Sequence, residues 1–254
     1  MDKPVVVIGI GEIGSVFACG FLKLGYPVVP VTREMDMALV SADFPEPEMV
    51  VVAVAEKDLH PTLDKIPNAW CDRVVLLQNE LLPRDWKDHG LNNPTVISVW
   101  FEKKKGMDSK VVITSPAYGQ FAGLLKEALG SLDIPVAELE SEDALLFELV
   151  LKNLYILTTN IAGLEVGGNV SELWLNHNEL ACSVAGDVLD IQEHLTGEAL
   201  DRRALIEDML KAFDGDPEHG CMGRSAPARL ERALSIADEA GLDVPTLRRI
   251  AEVK

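Results

Sequence analysis

Apolar and polar positions change their rhythm once along this chain, near residue 140. Before that point, short apolar runs of strand length alternate with amphipathic stretches. Val5, Val6, Val7 and Ile8 are four consecutive β-branched residues with no polar alternation, which predicts a strand buried on both faces. Ile13, Val16, Phe17, Gly20, Phe21 and Leu24 then recur at helical spacing, so a helix starts near Glu12 and stops at Gly25. Further strands are predicted over residues 27–31, 49–54, 73–77, 95–101, 110–114 and 134–139. Asp58 is placed to cap a short helix through Leu63, and residues 118–129 form an amphipathic helix. Residues 42–48, with Pro45 and Pro47, predict a loop, and the charged run from Glu102 to Gly106 predicts a solvated hairpin tip. Such alternation belongs to an α/β domain, a parallel sheet with helices on both faces.

Beyond Glu140 no strand pattern follows. Ser141, Glu142 and Asp143 give a helix start, and the apolar run over 144–164 is long enough for a deeply buried helix. More helices are predicted over 170–176, 179–195, 201–213, 228–240 and 245–253, with Gly241 as a stop and Pro245 as a first-turn residue. The chain therefore reads as an N-terminal α/β domain over residues 1–140 and an all-α domain over 141–254.

In the turn after the first strand Gly9, Gly11 and Gly14 stand in G-x-G-x-x-G spacing, which makes the first domain a Rossmann-type dinucleotide-binding domain. In that motif the first glycine makes the tight turn, the second lets backbone approach a pyrophosphate, and the third lets the helix pack close to the strand. The N–H groups from Gly9 through Ile10, Gly11, Glu12, Ile13 and Gly14 are then available to phosphates at the positive end of the helix. FAD or S-adenosylmethionine can also sit on such a turn. About twenty residues on, the second strand closes on Thr32, Arg33 and Glu34. An arginine there pairs with the extra phosphate of NADP, whereas an acid accepts from the ribose hydroxyls of NAD. Arg33 comes first, which favours NADP and leaves NAD open. Gln78 and Asn79 follow the apolar run VVLL abruptly and are candidates to line the cofactor, the alternative being a turn or capping role.

Composition narrows the field. At 254 residues, 48% of them hydrophobic, the chain can bury a large core. A net charge of −18 argues against nucleic acid and anionic membrane surfaces as partners. No signal peptide is visible and no apolar run approaches the roughly 18 residues a bilayer span requires, so a soluble, cytoplasmic protein is expected. Cys19, Cys71, Cys182 and Cys221 contain no C-x-x-C pair and the histidines are dispersed, so neither a disulfide framework nor a metal site is expected.

Within the long helix, Lys152 interrupts LFELVLKNLYILTTNIAGL. A buried unpaired ammonium is costly, so this lysine faces a cleft, a carboxylate or solvent. At 100° per residue Thr159 falls on nearly its face, with Asn160 one residue further round and about 12 Å along the axis. A snorkelling lysine with polar neighbours and a functional lysine are both compatible with this pattern.

The arrangement as a whole resembles the ketopantoate reductase family. The glycine turn matches as Gly9, Gly11 and Gly14, the arginine after the second strand as Arg33, and the Q-N pair of a Q-N-G turn as Gln78 and Asn79. The catalytic lysine of the helical domain falls on Lys152 and the asparagine eight residues on falls on Asn160. Departures are equally specific: Glu80 stands in place of the turn glycine, Ile156 in place of the first helix asparagine, and Ala55 near the position of a cofactor-contacting lysine. The C-terminal substrate segment, HGCMGRSAPARLERAL, has no glutamate that aligns with the family's. The resemblance implies an NADP-dependent oxidoreductase that reduces a small 2-keto acid or related carbonyl compound. Lys152 would serve the carbonyl oxygen, Asn160 would orient the substrate or Lys152, and Arg224 would bind a carboxylate. A second class is a dinucleotide-binding sensor or assembly protein in which catalysis is impaired, favoured by Ile156 and the missing glutamate. Helical second domains of this architecture often mediate homodimers, although no unpaired apolar stripe marks such a surface here.

Overall fold

The computed structural model describes residues 3–252. It separates into two compact units, one up to Glu148 and one from Leu149 onward.

The first unit runs β1 (Val5–Ile8), α1 (Glu12–Lys23), β2 (Val28–Val31), α2 (Met37–Asp43), β3 (Met49–Val52), α3 (Leu59–Leu63), β4 (Val74–Leu76), α4 (Pro83–Lys87), β5 (Thr95–Ile97), β6 (Phe101–Glu102), β7 (Lys110–Val111), β8 (Ser115–Tyr118), α5 (Ala122–Gly130) and β9 (Val136–Glu138). Among the described residues seven strands form one sheet in the order β2-β1-β3-β4-β5-β8-β9, and β6 pairs with β7 in a separate hairpin. The strand order turns back on itself between β1 and β3. Val5, Val7, Met49, Val51 and Val75 on one face of the sheet share a core with Phe17 and Phe21 of α1 and Leu125 and Leu129 of α5. The alternate residues Val6, Val50, Val52 and Leu76 are buried too, and β1 is inaccessible at nearly every position, as a strand covered on both faces should be.

The predicted sheet is parallel throughout, but β5 and β8 pair antiparallel. A parallel neighbour needs a crossover of a dozen or more residues, usually helical, and the connection from β5 to β8 carries only the small β6–β7 hairpin. The apolar run over 95–101 accordingly breaks after Ile97. There Ser98 N donates to Pro116 O and Trp100 N to the Ser115 hydroxyl, both at 2.9 Å, and the chain leaves the ladder. Strand β8 is absent from the sequence reading because it contains Pro116, and α5 begins at Ala122 rather than at residue 118. Two short helices also exceed the prediction. In α2 the Asp36 carboxylate accepts from Ala38 N, and at α4 Pro83 takes the first turn while Asp85 accepts from Leu82 N at 2.7 Å.

The second unit is helical. It contains most of α6 (Glu142–Val166), then α7 (Val170–Asn176), α8 (Asn178–Thr196), α9 (Arg202–Gly215), α10 (Ala226–Ala240) and α11 (Pro245–Glu252). Asn169 and Glu172 cap α7 reciprocally, Asp201 caps α9, and Gly241 stops α10 in the left-handed conformation at φ 67°. Helix α11 borrows its cap: the buried Asp187 carboxylate of α8 accepts from Thr246 N at 2.8 Å and Leu247 N at 3.0 Å. Burial pushes that carboxyl above its usual range despite those bonds. Contrary to the sequence reading, α6 is long and apolar enough to satisfy a membrane-span criterion. However, 72% of that window is buried inside the protein, which accounts for its composition.

Candidate functional site

In open α/β sheets ligands sit beyond the carboxyl ends of the strands, where the strand order reverses. Here that place is the end of β1 beside β3, and the glycine turn occupies it. Gly9 has φ +90° and donates to Val31 O at 2.9 Å, and a Cβ on it would stand 2.7 Å from Ala53 O. A Cβ on Gly14 would stand 2.0 Å from Gly9 O, so α1 can approach the strand only with hydrogen at that position. Gly11 differs from both: a Cβ there would meet nothing within 4 Å. Gly11 is exposed at the start of α1 and no side chain caps the helix. The protein's own packing thus requires the first and third glycines, whereas the second leaves backbone open above the first turn of α1, as a dinucleotide cradle needs. Ile10 and Glu12 are exposed, and Ile13 packs against the sheet–helix core.

Around this turn the other predicted residues divide. Arg33 is exposed after β2 and its guanidinium pairs with Asp58 at 3.1 Å; Asp58 therefore makes no side-chain cap on α3, contrary to expectation. Exposed pairs of this kind contribute only about 0–1 kcal/mol, so an incoming phosphate can open it. The neighbouring Thr32 hydroxyl donates to Glu34 at 3.2 Å. Gln78 is buried, donates to Val52 O at 2.6 Å and Val54 O at 3.3 Å, and accepts from Leu77 N. Its amide clips the end of β4 to the end of β3. Asn79 donates to Glu56 at 3.1 Å and is half-buried. Glu80, at the position of the family's turn glycine, holds φ +62°. A non-glycine residue in that region is strained by about 1–2 kcal/mol. Glu80→Gly is therefore expected to raise stability by about 0.5–1 kcal/mol, read as a higher urea midpoint at unchanged m-value. A lower midpoint would show that the glutamate side chain contributes more than its backbone costs.

In the second unit, α6 positions Lys152 and Asn160. Lys152 is half-buried with Nζ 5.8 Å from the Tyr155 ring centroid, within cation–π range. Tyr155 packs edge-on against Phe213 at 5.5 Å and lies 5.9 Å from the His219 ring. His219 belongs to the segment before α10, which the α6–α7 turn holds in place through Val170 N to His219 O at 2.9 Å and Cys221 N to Gly168 O at 3.0 Å. Burial, with a smaller effect of Glu172, pushes the Cys221 thiol up to about 11. Two turns beyond Lys152, Asn160 Oδ1 accepts from Arg229 Nη1 at 2.7 Å, and both residues are 8% exposed. Thr159 donates back to Tyr155 O at 2.8 Å and so serves the helix backbone. Asn153 bonds Gln192 of α8, and Ile156 is buried.

Arg224, the arginine expected to bind a carboxylate, is exposed, while the buried Arg229 is the one that meets Asn160. The sequence reading missed Arg229, although a signal exists. Ala226, Leu230, Ala233 and Ala237 form the buried stripe of α10, and Arg229 lies on it.

No protein-family model matches the chain, and no curated protein matches it. Solved structures do. A 2-dehydropantoate 2-reductase from Methylococcus capsulatus superposes with a TM-score of 0.69 at 13% identity, covering 98% of this chain and 95% of that one. A dimeric ketopantoate reductase from Staphylococcus aureus gives 0.64 at 15% identity, with 98% and 96% covered. D-mandelate dehydrogenase with NADH and anilino(oxo)acetate gives 0.68 at 12% identity, again with 98% and 96% covered. A sheet with a glycine cradle at its strand-order reversal and a helical unit built on one long helix therefore make up the fold that ketopantoate reductases and D-mandelate dehydrogenase share.

Proposed function

We propose that this chain is an NADP-dependent oxidoreductase that reduces the carbonyl of a small 2-oxo acid. The observation that carries the reading is the glycine turn, where Gly9 and Gly14 are sterically obligatory and Gly11 is open. Backbone N–H groups over Gly11 to Gly14 would bind the pyrophosphate, with Gln78 and Asn79 beside them. When bound, the nicotinamide supplies hydride to the carbonyl carbon. Lys152 would meet the negative charge that develops on the carbonyl oxygen and deliver a proton to it from Nζ, an electrostatic and general-acid role. Tyr155 gives that ammonium an aromatic wall. Asn160 would hold the substrate, and a small-molecule site of this kind fits the shared fold of reductases and dehydrogenases acting on 2-oxo and 2-hydroxy acids. We also propose a homodimer like the Staphylococcus aureus neighbour, to be read by light scattering.

Arg33 is assigned to the 2′-phosphate. Titration of the purified chain with NADPH and NADH tests this together with the fold's cofactor class: Arg33→Ala should weaken NADPH binding about tenfold and leave NADH binding within about twofold. Turnover is followed at the nicotinamide absorbance band with 2-dehydropantoate and phenylglyoxylate. Binding without turnover on any 2-oxo acid, ketone or imine would replace this reading by that of a sensor, and binding of neither nucleotide would overturn both.

A further inference from the structure

We infer that Asp58 is a specificity-determining residue of the cofactor site: its carboxylate occupies the Arg33 guanidinium where a 2′-phosphate would bind, so NADPH has to displace it and NADH does not. The inference rests on the reading of the β1–α1 turn as a dinucleotide cradle and concerns which dinucleotide that cradle keeps.

Strands β2 and β3 run parallel to β1 on either side of it, so their carboxyl ends flank the glycine turn. Arg33 comes from the turn after β2, and Asp58 ends the short helical turn Glu56–Asp58 that follows β3. Their side chains meet at 3.1 Å, so the pair reaches from one flank of the turn to the other. Asp58 is the fixed partner. Its N–H donates to Ala55 O at 2.9 Å and its carbonyl accepts from the Thr62 hydroxyl at 2.6 Å, which holds the backbone beneath the carboxylate from both sides. The arginine is the movable one, with 85% of its side chain exposed against 36% for the aspartate. The Asp58 carboxylate does not cap α3, so neutralising it leaves that helix as it is.

A guanidinium presents one planar fork that fits carboxylate and phosphate alike, so the two anions compete for it. A phosphate monoester carries about −1.5 to −2 charges at neutral pH and outbids a single carboxylate, but it then lies beside the carboxylate it has displaced. Like charges that close repel. NADH meets neither cost. Arg33 stays with Asp58, and the ribose hydroxyls find an acceptor in Glu34, which is exposed on the same turn and already accepts from the Thr32 hydroxyl at 3.2 Å. Specificity is a difference of two affinities, and Asp58 acts on only one of them. Arg33 adds preference for NADPH and Asp58 subtracts from it.

Calorimetric titration of the full chain with NADPH and with NADH tests this through the ratio of the two affinities. Asp58→Asn keeps the size of the side chain and removes its charge. It should bind NADPH about three- to tenfold more tightly than wild type does and NADH within about twofold. Asp58→Glu keeps the charge and should keep the wild-type ratio within about twofold. In an Arg33→Ala background the gain from Asp58→Asn should fall below about twofold, because no guanidinium remains to compete for. Thermal midpoints show whether the variants fold, and Asp58→Ser, a second neutral replacement, carries the test if Asp58→Asn does not. A neutral variant that leaves the NADPH-to-NADH ratio within about twofold of wild type overturns this inference alone, as does a gain that persists undiminished without Arg33. Wild type that binds neither nucleotide overturns the functional reading and this inference with it.

Discussion

Lys152→Ala is expected to lower kcat on a 2-oxo acid by about 10²-fold or more, the usual cost of losing a general acid or an oxyanion partner. At about 1.36 kcal/mol for each tenfold, that corresponds to at least ~2.7 kcal/mol of transition-state stabilisation. The lysine is half-buried over Tyr155, and such a cation–π contact contributes about 0.5–1 kcal/mol near the surface. NADPH affinity should stay within about twofold, because the pyrophosphate would be held by the β1–α1 turn. A variant that keeps kcat within about threefold of wild type, or that loses activity only in step with its thermal midpoint, would remove Lys152 from the chemistry.

Gly14→Ala carries the other large effect, and it is steric. Its Cβ would fall 2.0 Å from Gly9 O, more than an ångström inside contact, and both atoms belong to backbone held by the sheet and by α1. Relief requires α1 to move away from β1. Overpacking of this kind costs about 1–3 kcal/mol and occasionally more, and the rigid partners place this case at the upper end. Moving α1 also withdraws its first-turn N–H groups, so nucleotide binding should be lost with stability. Gly11→Ser separates the two effects. Its side chain meets nothing and can cap the helix, so stability should hold or rise, while the same side chain blocks a pyrophosphate. Unchanged NADPH binding in Gly11→Ser, measured by fluorescence quenching, would move the cofactor away from this turn.

How much of this was legible depended on whether a position's role was local. Val5–Ile8, the glycine turn and α1 were readable because burial on both faces and glycine spacing are written into adjacent residues. The end of α10 and the start of α11 were readable from Gly241 and Pro245. What was hidden depends on partners distant in sequence. Strand β8 exists despite Pro116 because Ser98 and the β9 ladder use the bonds that proline leaves available. Asp58 looked like a helix cap, and its carboxylate instead pairs with Arg33, 25 residues earlier. Arg229 is 69 residues from Asn160, and its place on an apolar helix stripe was the only local trace of that contact. Glu80 shows the converse: its replacement of a glycine was visible, but the positive φ that makes it costly was not.

Strand β2 closes one margin of the sheet with the sequence VVPV. Val5 N donates to Pro27 O and Gly9 N to Val31 O, so the odd-numbered residues of β2 face β1 and Pro30 faces away from it. A proline on the outward side has no hydrogen to offer a strand arriving from another molecule. Edge-to-edge association through β2, the route by which exposed sheets polymerise, is interrupted at its middle. The margin nearest the glycine turn thus stays with its own chain, and self-assembly has to use some other surface.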